Sequence, residues 1–148
     1  MTIDVYVDGS FNDQRGCYGG GFVILVPGLD SPLTGKAVGK DPILVPSRNI
    51  AGELLATQQA MKAVLTLHDV DRVHIYHDYM GIAYWVTGQW AAKKPVSREY
   101  KAFMTEMCTK YTLEFTHVKG HSGNKYNELA DRLAREGTFL PLEGVNGV

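Results

Sequence analysis

The first part of the chain alternates between hydrophobic and polar positions, as strands do. Ile3, Val5 and Val7 alternate with polar residues in "TIDVYVDGS" and predict a strand that ends at the Asp-Gly-Ser tripeptide. A second strand is predicted over "YGGGFVILV", where the three glycines indicate a bend or the close approach of another backbone. After the Pro27-Gly28 turn, "LTGKAVGK" and then "PILVP" predict a third, edge-like strand.

From Ile50 onward the hydrophobic spacing becomes helical. The segment "NIAGELLATQQAMKAVLTLH" predicts a long helix with Asn49 as its N-cap. "RVHIYHD" and "TLEFTHV" predict two more strands, and helices are predicted over "YMGIAYWVTGQW", "KPVSREYKAFMTEMCTKY" and "NKYNELADRLAREG". The order βββαβααβα predicts an α/β fold with a mixed sheet flanked by helices. We expect one domain over residues 1–137 and a mobile C-terminal tail over residues 138–148.

Composition agrees with a single globular domain of 148 residues. The formal net charge is −1, so charge alone does not indicate a nucleic-acid partner, and a polyanion would have to be attracted through bound cations. Cys17 and Cys108 have no metal-ligand spacing and, without a signal peptide, indicate a reducing cytoplasm, although a disulfide between them stays open. No hydrophobic run approaches the roughly 18 residues of a membrane span. We expect a cytoplasmic monomer with no membrane contact.

Four acidic residues fall at the ends of predicted elements. Asp8 and Asp78 end two strands, while Glu53 and Asp131 lie in the early turns of the first and last helices. Sites of α/β folds gather where strands end and helices begin. Four carboxylates packed together would repel one another and shift their pKa values. Divalent cations relieve this repulsion, and oxygen ligands suit Mg²⁺ or Mn²⁺, so the pattern predicts a metal site.

Each acid also has a purely structural explanation. "DGS" after a strand is typical of a turn, and Glu53 is a favourable charge near a helix N-terminus. Asp78 could cap the following helix, and Asp131 could be a solvated helix residue. The position of all four acids at element ends of one compatible topology favours a shared site.

The motifs "VYVDGSFN", "NIAGELLA", "IYHDYMGI" and "HVKGHSGNKYNELADRLA", in this order and spacing, resemble those of type 1 ribonuclease H. The resemblance covers Thr2 to about Gly137, and the last motif is its most specific part. It implies a ribonuclease H-like fold whose five-stranded mixed sheet has three antiparallel strands followed by two parallel ones. It also implies an endoribonuclease that cleaves the RNA strand of RNA–DNA hybrids, leaving 5′-phosphate and 3′-hydroxyl ends. Two Mg²⁺ or Mn²⁺ ions per site would act with the bound substrate.

The resemblance assigns a catalytic role to individual residues. His121 corresponds to the histidine of a mobile catalytic loop, with Gly120 and Gly123 as hinges, and would shuttle a proton or help the product to leave. The alternative for His121 is a surface imidazole on a flexible loop. The implied metal ligands, all of them catalytic, are the acids Asp8, Glu53, Asp78 and Asp131.

Substrate contacts are also implied. Arg48 is a candidate partner for a phosphate. Three small or polar residues match family positions that touch the hybrid, with turn residues and a helix cap as the alternative explanations: Gly9, Ser10 and Asn49.

The chain departs from the family pattern in three places. Tyr79 and Met80 follow Asp78 where the family often has Ser-Gln, so an amide contact to the hybrid is missing. Members of the family often have a long basic helix, the handle, that grips the DNA strand. Trp85 and Trp90 lie near the position of this handle, and we expect both in the core. No separate hybrid-binding domain is expected before the first strand. The handle itself is short and has four basic residues, Lys93, Lys94, Arg98 and Lys101. We therefore expect weak, salt-sensitive substrate binding.

Other functions are compatible with the same fold. A catalytically inert hybrid-binding or interaction module would have no need for four clustered carboxylates. A DNA-directed nuclease of the same superfamily is less favoured by the "GHSG" loop with Asn127 and Asp131. A phosphatase or kinase-like domain would need a phosphate-cradling glycine loop before a helix, which the sequence lacks.

Overall fold

A five-stranded mixed sheet forms the centre of the molecule in the computed structural model, which describes residues 1–119 and 123–143. Within this part of the chain, helices flank the sheet. The strands are β1 (Thr2–Asn12), β2 (Cys17–Leu25), β3 (Leu33–Gly39), β4 (Arg72–His77) and β5 (Thr112–His117). The helices are α1 (Asn49–Val64), α2 (Gly81–Thr87), α3 (Pro95–Cys108) and α4 (Lys125–Gly137).

The sheet has the strand order β3-β2-β1-β4-β5. The pairs β1–β2 and β2–β3 are antiparallel, whereas β1–β4 and β4–β5 are parallel. The predicted α/β fold, with three antiparallel strands followed by two parallel ones, is confirmed. In the parallel register Tyr6 lies opposite Tyr76, so continuing each chain by two residues brings Asp8 level with Asp78.

Strand β1 continues beyond its predicted end. It pairs with β4 only as far as Tyr6, but with β2 as far as Asn12, which lies opposite Cys17. The prediction that the strand ends at Asp-Gly-Ser is wrong, because the long antiparallel partner carries the ladder through that tripeptide. Asp8 therefore lies inside a strand, and the explanation of "DGS" as a turn is wrong as well.

The segment between β3 and α1 also differs from its prediction. "PILVP" forms no strand but a turn followed by a short 3₁₀ helix, Val45–Ser47, with Pro46 in its first turn. Proline cannot donate to a sheet ladder, which explains the difference. Helix α1 begins at Asn49 itself, and Arg48 occupies the cap position with φ 53° and no side-chain cap bond, so Asn49 is not the N-cap.

The two faces of the sheet pack against different helices because side chains of a strand alternate between faces. Val5 and Val7 of β1 belong to the main core, together with Met61 of α1 and Met104 of α3. Tyr6, between the two valines, packs instead in a second cluster with residues of α4. Both helix layers thus bury hydrophobic side chains against the same central strand.

The glycines of β2 allow helices to approach the sheet backbone on both faces. A Cβ atom on Gly20 would meet the backbone of Gly52 and Ala56 in α1. A Cβ atom on Gly21 would meet the backbone of Ala130 in α4. The predicted close approach at these glycines is confirmed, and it holds α1 and α4 directly against the sheet.

Three further predictions concern the cysteines, the membrane and the tail. Cys17 is buried and Cys108 exposed, and both are free thiols, so the open alternative of a disulfide is wrong. Within residues 1–119 and 123–143, no helix combines the length and the hydrophobicity that crossing a bilayer requires. Thr138, the first residue of the predicted tail, is buried, and residues 144–148 lie outside the described residues. The mobility of the tail stays a prediction.

Candidate functional site

A cavity of about 470 Å³ opens at the edge of the sheet where β4 ends. Its wall combines residues from β1, α1, the loop after β4, and α4. Gly9 and Asn49, two of the predicted substrate contacts, are part of the wall. All four acids predicted from the sequence line this cavity: Asp8, Glu53, Asp78 and Asp131.

Asp8 reaches the cavity from the middle of β1. Its Oδ1 accepts a hydrogen bond of 2.9 Å from the backbone amide of Gly9. Burial raises the pKa of Asp8 to about 7, and the neighbouring carboxylates of Asp131 and Asp78 add to the rise against the opposing effect of the Gly9 amide. The carboxylate of Asp8 therefore lies close to other negative charges.

Glu53 is the most buried of the four acids, with 4% of its surface exposed. Its Oε1 accepts a hydrogen bond from the backbone amide of Asp78 at 2.8 Å, and its Oε2 accepts one from that of Tyr79 at 3.0 Å. Burial raises the pKa of Glu53 to about 8, partly opposed by the Asp78 amide, and the charge of Asp8 raises it further. Glu53 lies beyond the first turn of α1, so a favourable charge at the helix end does not explain it.

Asp78 follows β4 directly, as predicted, and its side chain is 53% exposed. It does not cap α2, because that helix starts at Gly81 after Met80 and has no side-chain cap bond. Nε2 of His117 lies 3.8 Å from Oδ1 of Asp78. His77 is buried, and its Nδ1 lies 3.0 Å from the carbonyl oxygen of Tyr79.

Asp131 is placed by the well-defined start of α4. The side chain of Asn124 caps this helix by accepting hydrogen bonds from the amides of Tyr126 and Asn127. Asn127 and Asp131, one helical turn apart, both line the cavity. The side chain of Asp131 is 28% exposed, and its Oδ2 lies 3.1 Å from Nη2 of Arg135. Asp131 is thus a cavity residue and not simply a solvated helix acid.

Two predicted substrate contacts lie elsewhere. The wall of the cavity does not include Ser10, although Gly9 before it takes part. Arg48 points to the end of β1, where its guanidinium donates to Oδ1 of Asp13 at 2.7 Å and lies 4.4 Å from the ring centre of Phe11. His121 lies outside the described residues.

An aromatic wall of the cavity was not predicted. The rings of Tyr79 and Trp90 meet edge to face at 5.9 Å, and Met80 lies beside them on the wall. The core prediction holds for Trp85, which packs against the main core, but is wrong for Trp90, which is 39% exposed. Gly88, in the left-handed conformation, ends α2 two residues before Trp90. Trp90 therefore does not belong to the helix, and helical spacing in the sequence could not predict which way its side chain faces. Glu128, also on the wall, was missed as well.

The donor chemistry of the cavity suits a hard divalent cation, since carboxylate oxygens are the ligands that Mg²⁺ and Mn²⁺ prefer. Within residues 1–119 and 123–143, however, no three His, Cys, Asp or Glu side chains are already arranged as a metal-binding group. The four acids thus share a cavity without forming a ready coordination shell, and metal binding stays a prediction.

This architecture and acidic cavity define the class of RNase H-like α/β domains. RNase H1 from the halophilic archaeon Halobacterium salinarum NRC-1 has the same fold, with a TM-score of 0.74 over 93% of this chain and 97% of that chain at 23% identity. LC11-RNase H1, solved in complex with an RNA/DNA hybrid, matches with a TM-score of 0.72 over 92% of this chain and 96% of that chain at 22% identity.

The sequence comparisons are more specific than the fold. The family model for RNase H matches residues 1–139. Ribonuclease H of Paramagnetospirillum magneticum is 31% identical over 147 residues, which cover 92% of this chain and 89% of that protein. The chain belongs to the RNase H family, and the resemblance seen in the motifs is confirmed.

Proposed function

We propose that the protein is an endoribonuclease that hydrolyses the RNA strand of RNA–DNA hybrids, with two Mg²⁺ or Mn²⁺ ions per site and 5′-phosphate and 3′-hydroxyl products. The observation that carries the proposal is that four acids from four separate elements line one cavity. Further support comes from membership of the RNase H family and from a relative of the same fold solved with an RNA/DNA hybrid. The residues that would hold the cations are Asp8, Glu53, Asp78 and Asp131.

The cations would supply the Lewis acidity that activates a water and stabilises the leaving 3′ oxygen. The protein's own contribution is to position charge. Asp8 is held within the ladder of β1 and β2, and Glu53 binds the backbone amides of Asp78 and Tyr79. The raised pKa values of Asp8 and Glu53 are the expected result of burying these acids, with a further contribution from the neighbouring carboxylates.

The RNA strand would be recognised through its sugar edge. Gly9 has no side chain, and a Cβ atom there would meet the backbone of Asn49 and Glu53, so its absence lets α1 pack directly against β1 and places Asn49 next to Gly9. The amide of Asn49, on the cavity wall, is suited to bind a 2′-hydroxyl, which is donor and acceptor at once. Ser10, next along β1, would extend this contact beyond the cavity.

Arg48 would serve a phosphate outside the cavity. Its present partner Asp13 is 73% exposed and the Arg48 side chain 56% exposed, and exposed ion pairs contribute little to stability. A phosphate oxygen would therefore replace Asp13 at low cost, because guanidinium binds phosphate strongly. His121, which precedes α4 in the sequence, would act in the proton transfers of the reaction.

The test is cleavage of an RNA-labelled hybrid with Mg²⁺ or Mn²⁺, repeated with a chelator and with Asp78→Asn. We expect the chelator to abolish cleavage and Asp78→Asn to slow it by about 100-fold or more, as removal of a key electrostatic group does. The matched control is Glu106→Gln, an exposed carboxylate of α3, which should leave the rate unchanged.

Other outcomes would favour the rival functions. Cleavage that persists in chelator contradicts the metal-dependent mechanism. Binding of hybrids without cleavage by the wild-type protein would indicate an inert binding module, and cleavage of duplex DNA in preference to hybrid would indicate a DNA-directed nuclease.

A further inference from the structure

Asp131 forms an ion pair within its own helix. Nη2 of Arg135 lies 3.1 Å from Oδ2 of Asp131, one turn further along α4. An acid four residues before a basic residue is the favourable orientation for such a pair, and guanidinium keeps its charge throughout the physiological pH range. Asp131 lies at the cavity with its side chain 28% exposed, and Arg135 lies further towards the solvent with its side chain 63% exposed.

The positive charge of Arg135 distinguishes Asp131 from the other cavity acids. Within residues 1–119 and 123–143, two ion pairs include an acid of the cavity. One is the pair of Arg135 with Asp131, and the other is the pair of His117 with Asp78, at 3.8 Å. The charge of His117 depends on its protonation, whereas that of Arg135 does not. Asp131 is also the acid that lies beside Asp8, where negative charge is concentrated.

We propose that Arg135 is a built-in counter-charge of the acidic cavity, which occupies Asp131 when no cation is bound and weakens divalent-cation binding there. This inference rests on the proposed metal-dependent function. Without a cation, the guanidinium offsets the repulsion between Asp131 and Asp8. A cation that approaches Asp131 meets this positive charge and has to share or replace it.

Arg135 is therefore a residue that sets cation affinity and positions Asp131, not a catalytic residue. Its removal should strengthen cation binding, since the cavity would lose a positive charge and keep all of its carboxylates. Charges a few ångströms apart at a protein surface still interact at physiological salt, whereas those beyond about 8–10 Å are screened. We expect about a fivefold gain in affinity, larger at low salt.

The test measures Mn²⁺ binding to chelator-treated protein by calorimetry at about 0.1 M salt. Arg135→Gln removes the charge and keeps a good helix former. Arg135→Lys keeps the charge and should behave like wild type. Arg132→Gln is the matched control: Arg132 also pairs one turn ahead, with Glu136 at 3.5 Å, and is also 63% exposed, so this variant changes the net charge equally.

A second readout needs no cation. In chelator, Arg135→Gln should lower the unfolding temperature more than Arg132→Gln does, because Asp131 loses its partner beside Asp8. Added Mn²⁺ should then raise the unfolding temperature of Arg135→Gln more than that of wild type. Cation affinity and cation-free stability should thus change in opposite directions.

The outcomes separate this inference from the proposed function. Unchanged or weaker Mn²⁺ binding by Arg135→Gln, or an equal gain in Arg132→Gln, overturns the role of Arg135 while wild-type cleavage leaves the proposed function intact. Equal losses of cation-free stability in the two glutamine variants also overturn it. A wild-type protein that binds no Mn²⁺ overturns both.

Discussion

The carboxylate of Glu53 links two elements as well as lining the cavity. Both of its oxygens accept backbone hydrogen bonds, from Asp78 and from Tyr79, and the side chain is buried. A buried amide that loses its acceptor bears the full cost of desolvation. The side chain of Asp78, by contrast, is half exposed. The two acids should therefore differ in their contribution to stability even if both are essential for activity.

Glu53→Gln is expected to destabilise the cation-free protein by about 1–3 kcal/mol. Glutamine offers one oxygen where two amides need acceptors, and it turns a donor towards the second amide. Asp78→Asn should change the free energy of unfolding by less than about 0.5 kcal/mol. Denaturant titration in chelator near pH 6 measures both, since Glu53, with a pKa of about 8, is then mainly uncharged. Equal stability of the two variants would contradict the structural role of Glu53.

At the residue scale the sequence identifies the acids better than their neighbours. Asp78 and Asp131 could be placed because strand alternation and helix spacing locate them. Arg48 could not, because its positive φ and its contact with Phe11 arise from the packing of two distant segments. The position of Trp90 likewise depends on how the chain turns after α2, which no periodic pattern records.

At the scale of elements, the glycines of β2 set how closely the helices lie on the sheet. Gly20 faces the backbone of α1, and Gly21 faces that of α4. These are the helices that carry Glu53 and Asp131 to the cavity. The spacing between acids on different elements therefore depends on the absence of two side chains from β2, at the positions opposite Asp8 and Gly9.

Gly20→Ala is expected to destabilise the protein by about 2–3 kcal/mol, at the upper end for overpacking, because the added methyl group meets backbone on α1 and not a side chain that can rotate away. Denaturant titration measures the loss, and the rate of hybrid cleavage should fall as α1 moves outward. A loss below about 0.5 kcal/mol would show that α1 adjusts freely and that this contact does not set its position.

Strands and helices with regular hydrophobic spacing were predicted well. Elements whose length depends on pairing with another strand were not. The alternation in β4 and β5 and the capped, glycine-ended pattern of α4 are local signals. The continuation of β1 through Gly9 depends on pairing with β2, and "PILVP" has the hydrophobicity of a strand but prolines that prevent one. Local propensity therefore predicts which elements exist, and pairing decides where they end.

At the scale of the whole molecule, folding buries acids and brings them together, and both effects cost free energy when the acids are charged. Asp8 and Glu53 have pKa values of about 7 and 8 when folded, above their ordinary values of 3.8 and 4.5. Between about pH 4 and pH 8 the folded protein therefore binds more protons than the unfolded chain. The free energy of unfolding should rise as the pH falls through this range, and no further gain from these groups is expected below it.

Through Asp8 and Glu53 the cation-free protein is thus expected to be more stable near pH 6 than near pH 8, and buried His77, whose lowered pKa acts in the opposite direction, offsets part of this gain below its ordinary value of 6.5. The slope is at most about 1.4 kcal/mol per pH unit for each linked proton, and smaller for Asp8, which is only partly buried. Thermal unfolding in chelator across this range measures it. Asp8→Asn should flatten the dependence, and so should saturating Mn²⁺, which takes the place of the protons. A stability that rises towards pH 8 in chelator would contradict the raised pKa values.

Asp8 differs from the other acids in lying within a continuous stretch of paired strand, with residues of β1 bonded to β2 on either side of it. Glu53 and Asp131 belong to helices, and Asp78 to the loop after β4. The backbone amides near Asp8 that donate to β2 should consequently exchange with heavy water only on global unfolding. Of the four acids, Asp8 should therefore have the backbone that shifts least when a ligand binds in the cavity.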